Sequence, residues 1–192
     1  MAAKGEVIVL TGTPGTGKST IGSILALKLG SVQIDLSEYA KREGLIVGVD
    51  ESRSTEIVDI RGLRRKLSKF ISKDLNVVIE GHYAQDVVPD DLSSLVIVLR
   101  RAPWVLKREL TRRGYSPEKV WENVEVELLG TCLIEALQNY SKEKVCEIDT
   151  TYISAQKAVD IILELLKSRE KCTYGKIDWM EHPETEILLR DL

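Results

Sequence analysis

Short apolar runs of the kind that form buried strands recur along the chain at residues 6–10, 32–35, 76–80, 95–99 and 145–148. Between them the apolar positions fall at helical spacing, which predicts helices over 17–29, 36–43, 56–72, 103–113, 117–140 and 154–169. Pro103 and Pro117 suit first-turn positions, and Ser116 suits the cap before Pro117. Residues 44–55 read as a loop. Strands alternating with helices predict an α/β fold, a five-stranded parallel sheet with helices on both faces. From Cys172 onward the chain shows no obvious strand and reads as a tail that packs partly through Trp179.

Composition narrows this picture. With 192 residues and 43% hydrophobic content the chain suffices for one globular domain, which buries roughly 70% of its unfolded surface. Its longest apolar runs are too short to span a bilayer, and no signal-peptide core follows the start. The expectation is a protein of the cytoplasm, or of the nucleus in a eukaryotic source, with no membrane partner. Cys132, Cys146 and Cys172 match neither a disulfide framework nor a zinc ribbon and read as buried small hydrophobes. The formal charge is −3, yet two segments are strongly basic. Residues 61–73 carry Arg61, Arg64, Arg65, Lys66, Lys69 and Lys73, and residues 100–113 carry six cations against Glu109. Each reads either as a solvated helix face or as a surface for an anionic ligand or RNA.

The strongest chemical signal lies between the first strand and the first helix. Gly12-Thr13-Pro14-Gly15-Thr16-Gly17-Lys18-Ser19, followed by Thr20, matches the phosphate-binding G-x-x-x-x-G-K-[ST] pattern in the context that pattern requires. Glycines let successive backbone N–H groups converge on phosphates, and the helix start adds its positive dipole end. Lys18 supplies a charge to the β- and γ-phosphates and Ser19 a hydroxyl ligand for Mg²⁺, so ATP with Mg²⁺ is the expected substrate. No N-K-x-D guanine signature is present, and the chain is short for a motor.

Small P-loop phosphotransferases place an acceptor-binding insertion after the second strand and an arginine-bearing lid after the fourth. Both slots are filled. The chain is expected to be a single P-loop kinase domain with an insertion near 36–59, a lid near 111–121 and a tail near 172–192. In the insertion, Asp35, Lys41, Arg42 and Arg53 are the candidates for binding a nucleoside monophosphate. In the lid, Arg112 and Arg113 can swing over the triphosphate, and such an arginine neutralises charge on the transferred group. The third predicted strand ends in Glu80-Gly81-His82, at the sheet edge where ligands of open α/β sheets bind. Glu80 can hold Mg²⁺ through water or accept a proton, and His82 stands beside it as a catalytic candidate. Thr150, after the fifth strand, is a candidate neighbour of the nucleotide base.

Three pieces together carry a resemblance: the loop from Thr11 to Thr20, the Glu80-Gly81-His82 strand end, and the lid from Thr111 to Lys119 with the helix from Glu122 to Glu127. Over about residues 6–166 the chain resembles the atypical adenylate kinases of the isoenzyme 6 type, the CINAP-like family, in its archaeal branch. The resemblance implies a P-loop NTPase fold of the nucleoside monophosphate kinase type, Mg²⁺-dependent conversion of ATP and AMP to two ADP, and ATPase activity. It also implies a role in maturing the small ribosomal subunit, with a ribosomal protein of the subunit platform as partner; the basic segments add pre-rRNA. Eukaryotic members carry Asp where Glu80 stands here. Two other readings use the same motifs: a ribosome-assembly ATPase whose nucleotide acts as a conformational switch, and a kinase of a sugar or sugar acid.

Overall fold

The computed structural model describes residues 5–51, 55–71, 75–168 and 172–190. Through them the chain runs β1 (Val7–Thr11), α1 (Lys18–Leu29), β2 (Val32–Asp35), α2 (Leu36–Arg42), β3 (Ile46–Asp50), β4 (Thr55–Val58), α3 (Ile60–Phe70), β5 (Val77–Glu80), α4 (Ala84–Val87), β6 (Leu95–Arg100), α5 (Pro103–Arg112), α6 (Pro117–Leu128), α7 (Thr131–Asn139), β7 (Val145–Asp149), α8 (Ala155–Lys167) and α9 (Pro183–Leu189). The five predicted apolar runs form one parallel sheet in the order β2-β5-β1-β6-β7. Every residue of β1, β5 and β6 is buried, as expected for strands covered on both faces.

Two cores flank the sheet. On one face Ile8, Leu10, Val78, Ile97 and Ile148 pack against Ile21 and Leu25 of α1 and Val159 and Ile162 of α8. On the other, Val9, Ile79, Val96 and Val98 meet α2, α3, α4 and α7 through Leu36, Leu63, Leu67, Val87 and Ala136. A third cluster joins α5 and α6 to the tail through Leu106, Leu110, Val124, Trp179 and Leu188. Among the described residues no helix is long and apolar enough to cross a membrane.

Four expectations are corrected. Residues 55–58, expected to straddle a loop and a helix start, form β4, which pairs antiparallel with β3. In β3, Ile46, Gly48 and Asp50 are half-buried while Val47 and Val49 are exposed, the period-two pattern of a strand. The helix expected over 117–140 is broken: Gly130 adopts φ 64°, a left-handed conformation that ends α6 and starts α7 on a new axis. The tail carries a helix, α9, beyond the expected Trp179 packing. Cys146 and Cys172 are disulfide-bonded, pinning the tail to β7, whereas Cys132 is a buried free thiol as expected.

The disulfide spans 26 residues, a loop whose closure stabilises the fold by about 3.5 kcal/mol in the chain-entropy view. Reduction is expected to lower the denaturant midpoint of unfolding by a corresponding amount. An unchanged midpoint under dithiothreitol would show that the pair contributes nothing.

Candidate active site

The loop between β1 and α1 owes its shape to close backbone approach. Gly12 has φ 136°, and a Cβ there would lie 2.3 Å from the Leu99 carbonyl oxygen, so only glycine lets the loop turn this tightly against β6. No side chain caps the start of α1. Its first-turn N–H groups therefore remain for an anion.

Lys18 folds over the loop, and its ammonium donates to the carbonyls of Gly12 at 2.7 Å and Thr13 at 3.0 Å. Burial lowers its pKa to about 8, against the pull of nearby acids including Glu80, Glu127 and Asp35. Thr13 is the fulcrum of the loop: its carbonyl also accepts from the Thr16 backbone N–H and hydroxyl. Thr16 is held in turn by Thr150, whose buried hydroxyl is shared between the Thr16 carbonyl at 2.9 Å and the Arg100 carbonyl at 2.8 Å. Thr150 thus braces the loop from behind.

At the end of β5, Glu80 is 2% exposed and accepts a 2.6 Å hydrogen bond from Gln33 on β2. Burial raises its pKa, opposed by hydrogen bonds from Ser19 and Gln33 and by Lys18, and reinforced by Asp35. The Ser19 hydroxyl and the Glu80 carboxylate thus meet beside the phosphate loop. A hard oxygen-seeking cation fits this pair, since Mg²⁺ is commonly held by one or two protein oxygens together with phosphates. Asp35, in register with Glu80 across the β2–β5 pair, accepts from the N–H groups of Ser37 and Glu38 and so caps α2.

His82 keeps an exposed edge, while the protein crowding its inner side and the charges of Lys18 and Lys119 hold its pKa down at about 4, with Asp35 opposing. Its imidazole is therefore neutral at physiological pH. A cavity of about 360 Å³ opens beside it, lined by Ser37, Thr55, Glu56, His82, Tyr83 and Asp86 among others. The β3–β4 hairpin, unseen in the sequence, forms one wall through Ile46, Thr55, Glu56 and Val58.

The remaining sequence candidates divide. Lys41 pairs with Glu56 of the cavity wall at 3.3 Å, while Arg42 is exposed, lies over the Tyr39 ring and faces Glu43 at 3.6 Å. Arg53 lies outside the described residues. Arg112 and Arg113 both pair with Glu109, at 3.2 and 2.8 Å, on the exposed end of α5.

Four residues went unassigned by sequence. The Arg101 guanidinium donates to the Gly15 carbonyl at 3.2 Å. Arg100, 2% exposed, is enclosed by Glu127 at 2.7 Å and Glu147 at 2.5 Å. Glu127 also accepts from the Thr13 hydroxyl at 2.6 Å and from the Trp179 indole N–H at 3.0 Å. These partners are far apart in sequence, and only the clustering of cations at 100–113 hinted at them.

The lowered Lys18 pKa carries a sign. The ammonium loses its proton as pH rises through about 8, whereas a bound phosphate favours the charged form. Binding of Mg·ATP is expected to weaken roughly tenfold between pH 7 and pH 9. Titration calorimetry checks this; a flat affinity over that range would place the Lys18 charge outside the interaction.

Comparison with known proteins agrees with this geometry. A family model described as an AAA domain matches residues 8–130. A protein of Methanocaldococcus jannaschii named "Putative adenylate kinase" is 37% identical, covering 91% of this chain and 93% of its own. A protein of the same name from Pyrococcus abyssi is 40% identical over 91% of this chain and 92% of its own. A solved shikimate kinase of Acinetobacter baumannii in complex with shikimate shares the fold, with a TM-score of 0.60 at 18% identity over 87% of this chain and 96% of that one. The chain therefore belongs to the family of these archaeal adenylate-kinase-like proteins and is a kinase-like phosphotransferase of the P-loop fold.

Proposed function

We propose that the protein is a Mg²⁺-dependent nucleoside monophosphate kinase that transfers the γ-phosphoryl group of ATP to AMP, giving two ADP, with accompanying ATPase activity. The supporting observation is the cavity between His82 and the β3–β4 hairpin, at the sheet edge that also carries Glu80 and the phosphate loop. Its hydroxyls, Ser37 and Thr55, and its carboxylates, Glu56 and Asp86, suit the ribose and exocyclic amine of a nucleoside.

In this reading the backbone of Gly12, Thr13, Gly15, Thr16, Gly17, Lys18, Ser19 and Thr20 wraps the phosphates of ATP. Ser19, and Glu80 through water, would hold Mg²⁺, which would supply neutralisation of the negative charge on the β- and γ-phosphates. Lys18 leaves its carbonyl partners for the β- and γ-phosphates. His82, a neutral imidazole in the cavity wall, is placed to accept a proton or orient the acceptor. Asp35 sets the start of α2, and Lys41, Arg42 and Arg53 serve the acceptor phosphate. Arg112 and Arg113 exchange Glu109 for the triphosphate; exposed ion pairs of this kind contribute only about 0–1 kcal/mol, so releasing them costs little. Thr150 keeps the loop in place beside the base. The insertion near 36–59 then serves the acceptor and the lid near 111–121 the triphosphate, while the tail near 172–192 packs against the body of one kinase domain in the cytoplasm.

A second reading, the ribosome-assembly ATPase, has its own support. On α3, Arg61, Arg64, Arg65 and Lys69 are exposed and form no salt bridge among the described residues, while Lys66 pairs with Glu43. Such a face suits pre-rRNA or the ribosomal protein of the small-subunit platform; Lys73 of the same basic segment lies outside the described residues.

ADP production from Mg·ATP, measured with AMP, CMP, UMP, dAMP and no acceptor, separates the two. AMP is expected to stimulate turnover strongly, and Lys18→Ala to reduce it by about a hundredfold or more without unfolding the chain. Slow turnover indifferent to every acceptor would favour the assembly ATPase. In that case Arg64→Glu with Arg65→Glu is expected to weaken pre-rRNA binding and leave turnover intact.

A further inference from the structure

Glu127 is an acid from α6 buried under the phosphate loop, with every side of its carboxylate occupied. Its Oε2 accepts from the Thr13 hydroxyl at 2.6 Å. Its Oε1 accepts from the Arg100 Nε at 2.7 Å, the Arg101 backbone N–H at 3.2 Å and the Trp179 indole N–H at 3.0 Å. Two carboxylates, Glu127 and Glu147, thus face the single guanidinium of Arg100. The excess negative charge is met by neutral donors, and two of these come from the tail: Trp179 on Glu127 and the Gly175 N–H on Glu147 at 3.0 Å.

The indole is itself well fixed. Its ring meets Trp104 edge-on at 5.7 Å, and the Trp179 backbone carbonyl accepts from the Thr185 hydroxyl at 2.5 Å. On the other side of the carboxylate, Thr13 presents its carbonyl to Lys18 and to Thr16. A rotation of the Glu127 carboxylate is therefore delivered to the atom on which Lys18 rests. Glu127 lies on the helix that emerges from the lid at Ser116, so the same carboxylate ties lid helix, tail and loop together.

We propose that Glu127 is a positioning residue through which Trp179 of the C-terminal tail sets the conformation of the phosphate loop at Thr13, so that the tail takes part in nucleotide binding without touching the nucleotide. The inference rests on the reading of this loop as an ATP site. A buried hydrogen-bond relay transmits only along its members, so once its loop end is removed, removing the tail end as well should add nothing.

The test is a double-mutant cycle on Mg·ATP affinity in the full chain, with thermal midpoints recorded for each variant. Trp179→Phe removes the indole N–H and is expected to weaken binding roughly fivefold. Thr13→Val, which removes the hydroxyl, is expected to weaken it roughly tenfold, and Thr13→Ser to restore it. The double variant should bind about as Thr13→Val alone. Independent, multiplying effects, or a Trp179→Phe protein with unchanged affinity, would overturn the relay. If Trp179→Phe does not fold, Trp179→Tyr, which keeps a larger side chain and also lacks the indole N–H, replaces it in the cycle, with the same non-additivity expected. Absence of ATP binding by the unsubstituted protein would instead overturn the ATP site itself, which separates the two failures.

Discussion

The structure turns on one buried guanidinium. Arg100 ends β6, between β1 and β7 in the sheet, with 2% of its surface exposed, and burial works against its charge, yet Glu127 and Glu147 together hold its pKa above the ordinary value. Taking such a group out of water costs several kcal/mol unless its donors are met. The partners that meet them come from different parts of the chain: Glu127 from α6 through both carboxylate and carbonyl, and Glu147 from β7. Replacement of either acid would leave buried guanidinium N–H groups without their acceptor, so the positions of α6 and β7 relative to β6 are tightly determined. The phosphate loop inherits that geometry, because Thr13 and Thr150 bond to members of the same group.

The sheet supplies the rest of the site by topology. β1 lies between β5 and β6, so the loop leaving β1 passes over the strand ends that carry Glu80 and Arg100. One side of the loop thereby meets the carboxylate suited to a cation, and the other meets the bracing arginines. The two hydrophobic cores hold these strands in register with little freedom, and close packing transmits small displacements rather than absorbing them. By contrast the hairpin beside the His82 cavity shows exposed Val47, Val49 and Ile57 and joins the main body chiefly through Ile46 and Val58. Fewer buried contacts mean a lower cost of local movement in this wall of the cavity.

What could be read from the sequence was what is local. Strands buried on both faces appear as apolar runs, and the phosphate loop is contiguous, so the sheet and Gly12 to Ser19 were legible. The β3–β4 hairpin was not, because its strands are short and exposed on one side, and Ile57, Val58 and Ile60 also fit the helical spacing that continues into α3. Gly130 sat inside an otherwise periodic run, and only its left-handed backbone reveals the break. Cys146 and Cys172 could be paired only by knowing that β7 and the tail lie side by side, where the Glu147 N–H donates to the Thr173 carbonyl at 2.9 Å. Arg100, Glu127 and Glu147 are separated by 27 and 47 positions. Their partnership follows from strand order, which charge counts do not contain.

The two classes of arginine at the site differ in a way that bears on how it works. Arg100 and Arg101 are buried or half-buried and bonded to fixed backbone and carboxylate groups, so they cannot move without breaking the loop's support. Arg112 and Arg113 share one carboxylate, Glu109, at the end of a helix where solvent competes for every contact. Two cations on one acid leave a net positive charge at the end of α5, a field that favours the approach of an anion. The turn that follows runs through Gly114 at φ 81°, a conformation that glycine adopts without strain. Buried charge thus holds the phosphate loop in the interior, while the exposed pairs at the rim contribute only about 0–1 kcal/mol each and are readily released.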